Sequence, residues 1–311
     1  MSSLQDRRRF LRTALGCAAG LPLMHGSLSS AFAREPKPSI EVTRLTDDIA
    51  IFSGAGGNVV AARDADGLVL VDGGMRGRSR ELLDAVTREM GEKRIRALFN
   101  THWHPEQTGS NERLGKQGVK IIAHENTKLW LGTQITPPWS EKPFEPLPPA
   151  ALPNETTYDV GELPFGDDRI RYGYLPQAHT DGDIYVYFPK ANVLVTGGVV
   201  SGAGWPLIDW YTGGWIGGLA NGLRTLVGVA NAETRVVPAD GPVLTRADLE
   251  AQQKMYSTIF GRLQQLLRKG LSPDEAADTG PAQEFEDQWG DSREFVITAF
   301  KSLWGPMSPD A

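Results

Sequence analysis

Cysteine is almost absent, with a single thiol, Cys17, in 311 residues. Beyond that position the chain has no disulfide, no thiolate ligand and no cysteine nucleophile, so any metal must rest on His, Asp or Glu. Histidine is scarce as well, five in all, and basic charge falls short, 32 Lys and Arg against 38 Asp and Glu. A net negative chain is a poor match for a polyanion, which argues against nucleic acid as a partner. The one long weakly polar run, Thr13 to Phe32, is broken by Pro22, His25 and several glycines and serines, which disfavours a permanent membrane anchor.

What is present is ordinary for a globular protein: 40% hydrophobic and 23% charged residues, with 35 glycines and 21 prolines serving many connections. The length favours one large α/β domain. The start reads differently. Arg7-Arg8-Arg9-Phe10-Leu11-Arg12 precedes the small apolar run, and Ala31-Phe32-Ala33 offers an A-x-A cleavage site. This resembles a twin-arginine export signal over residues 1–33, handled by the twin-arginine machinery and cleaved near Ala33, with a mature domain over 34–311 in the periplasm or outside the cell. Lipid attachment at Cys17 would need a longer apolar run before it. Removal of residues 1–33 leaves 28 basic against 37 acidic residues, a formal charge of −9, and four histidines.

Apolar runs separated by turn residues predict antiparallel strands over Ile49 to Ser53, Asn58 to Arg63 and Gly67 to Asp72. A helix follows over Arg78 to Met90, where Leu82, Leu83, Val86 and Met90 keep helical spacing, and then a short buried strand, Ala97 to Asn100. A second series repeats the pattern: strands Arg169 to Leu175, Asp183 to Phe188 and Asn192 to Thr196, a helix Trp215 to Val229, and a strand Thr234 to Pro238. Two such series suit two facing sheets with helices outside. Thr133 to Pro153, with seven prolines, reads as an extended connection. Thr245 to Lys269 is a helix, with Thr245 and Asp248 as a cap pair and Gly270 as its stop. Ser272-Pro273-Asp274-Glu275 opens another, and Asp291 to Trp304 forms the last.

The strand Ala97 to Asn100 runs into Thr101-His102-Trp103-His104-Pro105-Glu106-Gln107-Thr108-Gly109-Ser110-Asn111. In extended backbone residues i and i+2 point to one side, so His102 and His104 can aim two imidazoles at one point. His179, in Ala178-His179-Thr180-Asp181-Gly182-Asp183, lies at a strand junction of the second series from which a loop could reach the same rim. Three neutral imidazoles and water make an open tetrahedral zinc site. A polar loop with no metal is the competing reading of an H-x-H pair alone. His124, ending an apolar strand, reads as structural.

Together, Val71-Asp72-Gly73-Gly74 after its strand, the His102–Asn111 segment and His179-Thr180-Asp181-Gly182-Asp183 resemble the metallo-β-lactamase superfamily, from about Ile49 to Asp248. The resemblance implies an αββα four-layer sandwich with a metal centre on the rim between its sheets. Carried over, His102, His104 and His179 are the three histidines of the first metal site, with Asp72 and Asp183 supporting them. The second site departs from the family's pattern. Glu106 stands for the usual aspartate, Gln107 for the usual histidine, Gly198 for the bridging acid and Asp240 for another histidine. The resemblance therefore implies one tightly held zinc, with a weak second ion at most near Glu106, Gln107 and Asp240.

On that footing the expected chemistry is hydrolysis of a small-molecule ester, lactone, lactam or thioester by a metal-bound hydroxide, with Glu106 as the proton-shuttling acid and base and Asp240 in second place. The opposing expectation is a metal- or ligand-binding relative without catalysis. Trp205-Pro206-Leu207-Ile208-Asp209-Trp210-Tyr211 follows a rim strand. It reads either as core or as a substrate wall in which Trp205, Trp210 and Tyr211 meet an apolar group and Asp209 a polar or cationic one.

Overall fold

Strands that are apolar on both faces need a cover on each side, and the alternation along them shows where each cover lies. In the strand Ile49–Ser53, Ile49 and Ile51 join one buried cluster while Ala50 and Phe52 join another. The same split separates Val60 and Ala62 from Val59 and Ala61, and Val69 and Val71 from Leu68 and Leu70.

The structure, a computed structural model, describes residues 39–304. The export segment and its cleavage point lie outside the described residues. In chain order the first half holds β1 (Glu41–Arg44), β2 (Ile49–Ser53), β3 (Val59–Asp64), β4 (Gly67–Val71), α1 (Ser79–Met90), β5 (Ile95–Phe99), α2 (Pro105–Thr108), α3 (Asn111–Gly115), β6 (Lys120–His124), α4 (Glu125–Leu131) and β7 (Glu155–Thr157). The second half holds β8 (Val160–Phe165), β9 (Asp168–Tyr174), β10 (Ile184–Phe188), β11 (Val193–Gly197), α5 (Ile216–Val229), β12 (Arg235–Pro238), α6 (Arg246–Arg268), α7 (Pro273–Asp278), α8 (Glu286–Trp289) and α9 (Arg293–Lys301).

One sheet runs β1 to β7 in sequence order, antiparallel up to β4 and parallel from β4 to β7. The other runs β12-β11-β10-β9-β8 with β11 and β12 parallel. Between the sheets lies a core of Ile51, Val71, Phe99 and Ile122 from one side and Ile170, Val186, Val195 and Val237 from the other. Outside the first sheet, α1 buries Leu82, Leu83, Val86 and Met90; outside the second, α5, α6 and α9 bury Leu219, Leu223, Tyr256, Ile259 and Phe300. This is the expected helix, sheet, sheet, helix order.

Local chemistry sets the boundaries. The Thr245 hydroxyl accepts from the Asp248 N–H while the Asp248 carboxylate accepts from the Thr245 N–H, and Ser272 and Glu275 repeat the arrangement. Several elements were not anticipated: the edge strand β1, the short strands β7 and β8, and the short helices α2, α3, α4 and α8. Each is too short or too exposed to carry a clear period.

Candidate metal centre

β4 and β5 are parallel neighbours, so the residues that follow them emerge side by side at one end of the sheet. After β4 comes Asp72, with φ of 65°, a left-handed conformation that short polar side chains tolerate. Its carboxylate is buried and accepts from the N–H and the hydroxyl of Thr101, both at 2.8 Å. Burial pushes the Asp72 pKa up to about 7, while the two Thr101 bonds pull it down. Because the Thr101 hydroxyl donates to Asp72, its oxygen accepts from Nδ1 of His102 at 3.0 Å. The His102 proton then sits on Nδ1, and the Nε2 lone pair is left available.

His104 caps α2, and its Nε2 lies 2.9 Å from Oδ2 of Asp209. Asp209 has no exposed surface. Its Oδ2 also accepts from the indole of Trp103 at 3.2 Å, and its Oδ1 accepts from the Thr212 N–H at 3.1 Å. A carboxylate held this way takes a proton-bearing nitrogen as neighbour, so His104 keeps its lone pair on Nδ1. His179 turns Nδ1 toward Oδ1 of Asp183 at 3.5 Å, and Oδ2 of Asp183 accepts from the Thr180 N–H at 2.6 Å. The three rings stand 4.7 to 4.8 Å apart, centroid to centroid, nearly perpendicular to one another. One ligand nitrogen from each gathers with the others within 4.8 Å.

The donor set fits a cation. Burial, and then the neighbouring His179 and His104, press the His102 pKa well below the usual imidazole value, which keeps it neutral and able to donate its lone pair. Acids stand behind the rings. Asp181 has its pKa raised to about 6 by burial, against the Trp130 indole bond that lowers it, and by the nearby carboxylates of Asp183 and Asp209. Nδ1 of His179 and Oδ1 of Asp183 are buried without a hydrogen-bond partner, as suits a pair whose alignment a metal on the other nitrogen would complete.

Among the described residues, the three histidines are the one group of three or more His, Cys, Asp or Glu with ligand atoms brought together. Glu106 on α2 is half-buried, Gln107 is buried, and Asp240 is exposed after β12 with its Oδ1 accepting from the Gly241 N–H. Gly198 lies directly against the centre: a Cβ there would come within 2.5 Å of Nδ1 of His179. His124 stands apart, stacked on Tyr174 at 3.9 Å and accepting from the Asn126 N–H at the start of α4.

Two of the four wall residues are corrected. Trp205 is core, stacked on Phe295 at 4.4 Å, with its indole donating to the Gly290 carbonyl. Asp209 is fully buried and faces His104, so it is out of a substrate's reach. Trp210 packs partly on the same core, and Tyr211 is exposed. The reason is the loop's course: the Asp209 N–H donates to the His179 carbonyl and the Trp215 N–H to that of Ala178, folding the loop back beneath the histidines. Thr101, Trp103 and Asp181 were missed, since nothing local distinguishes them from ordinary strand-end and loop residues.

The profile of the metallo-beta-lactamase superfamily matches residues 53–255. A metallo-beta-lactamase type 2 from Bacillus cereus is 26% identical over 203 residues, 63% of this chain and 72% of that protein. Among solved structures, a metallo-beta-lactamase from Pontibacter korlensis superimposes with a TM-score of 0.57 at 18% identity, over 70% of this chain and 99% of its own. A stereoselective inverting sec-alkylsulfatase from Pseudomonas sp. superimposes with a TM-score of 0.65 at 14% identity, over 86% of this chain and 50% of its own.

Proposed function

Starting from the fact that the chain belongs to the metallo-beta-lactamase superfamily and is a metal-dependent hydrolase, we propose that it is an exported, single-zinc enzyme acting on a small molecule with an ester, lactone, lactam or thioester bond. The carrying observation is the set of three imidazoles with a group behind each: Thr101 hydrogen-bonded to His102, Asp209 to His104, and Asp183 standing 3.5 Å from His179. Nε2 of His102, Nδ1 of His104 and Nε2 of His179 would hold the ion. When bound, zinc polarises a carbonyl and lowers the pKa of its water ligand to about 7.

The chain's own groups do the remaining work. Glu106, half-buried and one helical position beyond Pro105, takes and returns the proton of the hydrolytic water, with Asp240 in second place. Asp72 and Asp209 keep the proton on the outward nitrogens of His102 and His104, fixing the tautomers that leave the inward nitrogens as donors. Tyr211 and Trp210 remain the candidates for contact with an apolar substrate group. The rest of the proposal is a single mature domain over 34–311, released by cleavage near Ala33 after transport by the twin-arginine machinery into the periplasm. Among the described residues no helix is long and apolar enough to cross a membrane.

Elemental analysis of the mature protein, purified without added metal, tests this reading. About one zinc per chain is expected, with hydrolysis in a screen of esters, lactones, lactams and thioesters widened to alkyl sulfates by the sulfatase likeness. A metal-free protein, or full activity in His104→Ala, overturns it.

A further inference from the structure

Gln107 is 4% exposed, and its backbone is fully engaged: its N–H donates to the His104 carbonyl, and its own carbonyl accepts from the Gly73 N–H and the Asn100 side chain. Its carboxamide, however, has no hydrogen-bond partner among the described residues. That carboxamide is not among the fully buried unpartnered atoms, so it keeps an edge toward solvent on which its N–H donors stay available to a ligand. The surroundings hold this amide in place. A Cβ on Gly57 would fall 2.8 Å from Nε2 of Gln107 and 2.6 Å from the Ala239 carbonyl, so only glycine leaves it room. Asn58 donates to the carbonyls of Pro238 and Gly241, clamping the opposite loop at the same place. The Ala239 N–H donates to the carbonyl of Gly197, next to the Gly198 that touches His179. The amide therefore stands in the gap between the β2–β3 and β12 loops, one helical turn from His104, at the place where the second metal site loses its histidine.

We propose that the Gln107 carboxamide is a substrate-binding group: its N–H donors receive an oxygen of the substrate's carbonyl or carboxylate beside the three-histidine centre, doing by hydrogen bonding what a second cation does by charge. This rests on the metal-hydrolase reading and adds a substrate preference. The favoured substrate carries an oxygen acceptor, carboxylate or carbonyl, positioned to reach both the metal and the amide. A neutral donor cannot match a cation in attraction for charge, but it is directional and discriminates against groups that cannot accept.

Cobalt(II)-substituted protein provides a readout independent of turnover. Its visible spectrum is titrated with acetate, a minimal carboxylate probe, in the wild type, Gln107→Leu and Gln107→Glu, with metal content and thermal melting recorded for each. The expected result is one cobalt per chain in all three, with acetate binding weakened about tenfold or more in both variants, in line with loss of a hydrogen bond to a charged group. Glu is nearly isosteric, so it carries the test should the leucine variant not fold. Equal acetate affinity in the wild type and the folded variants overturns the role of Gln107 and leaves the metal reading standing. A wild type that takes up no cobalt overturns both.

Discussion

Nε2 of His104 sits 2.9 Å from Oδ2 of Asp209, a residue 105 positions later in the chain with no exposed surface. That contact turns the His104 ring so that its other nitrogen faces His102 and His179. Asp209→Asn preserves shape but replaces an obligate acceptor with an amide that can present a donor to the histidine. Metal affinity, measured by competition with a chelator, is expected to fall roughly 10–100-fold while the protein stays folded. Unchanged affinity would show that the contact does not orient the ligand.

Glu106→Gln removes the proposed proton carrier and leaves the three histidines intact. One metal per chain should remain, and the turnover number should drop about 10²–10⁴-fold on the best substrate found. An unaltered rate assigns the proton transfer elsewhere, with Asp240→Asn the next variant to assay.

Gly198→Asp restores an acid where relatives in the family carry a metal-bridging one, yet here the new Cβ meets the His179 ring at 2.5 Å. The expected outcome is loss of the first metal, with affinity lowered about tenfold or more, and not gain of a second. Two metals per chain by elemental analysis would mean that the ring can retreat and the second site can be rebuilt.

The metal-free protein should lose stability as pH rises from about 4 to about 7, because of Asp72. Its pKa is 3.8 in the unfolded chain and about 7 in the fold, raised by burial. Across that window the folded state holds the proton and the unfolded state releases it, so deprotonation progressively favours unfolding, by roughly 4 kcal/mol in all. His102, depressed by burial, acts in the opposite direction as pH falls below 6.5. Chemical denaturation of chelator-treated wild type and Asp72→Asn at pH 5 and pH 8 separates the two. The variant should be less sensitive to rising pH, and identical slopes would rule Asp72 out as the source. Bound metal should flatten the wild-type slope, since a cation favours the carboxylate.

Trp205→Ala tests core against wall. Loss of the stack on Phe295 and of the bond to Gly290 should cost about 3–5 kcal/mol of stability, read from denaturant midpoints, with KM unchanged. A raised KM at unchanged stability would return Trp205 to the substrate's side.

Periodicity made the layers legible. Continuous apolar runs in Ile49–Ser53 and Gly67–Val71 and helical spacing in Ser79–Met90 report which faces of an element are buried, and burial is what stacks the four layers. Caps were legible for the same local reason, as with Thr245 and Asp248. The proline-rich 133–153 segment likewise reads as a connection, though not as the wall of the small apolar cluster it makes with Trp103 and Leu131.

The sequence by itself determined which atoms could bind a metal, because a chain with one cysteine and an H-x-H pair at a strand's end leaves few other donors. The tertiary structure decided how those donors are aimed. Asp209 could be read as a substrate contact or as core until the fold brought its loop beneath His179 and set its carboxylate against His104. Gln107 looked like a poor ligand until its amide was seen without a protein partner beside Gly57. Spacing along a strand or helix acts over a few residues, so it can be read locally. The partner of a hydrogen bond is set by chain closure over a hundred residues, and only the packed sheets bring the two ends together.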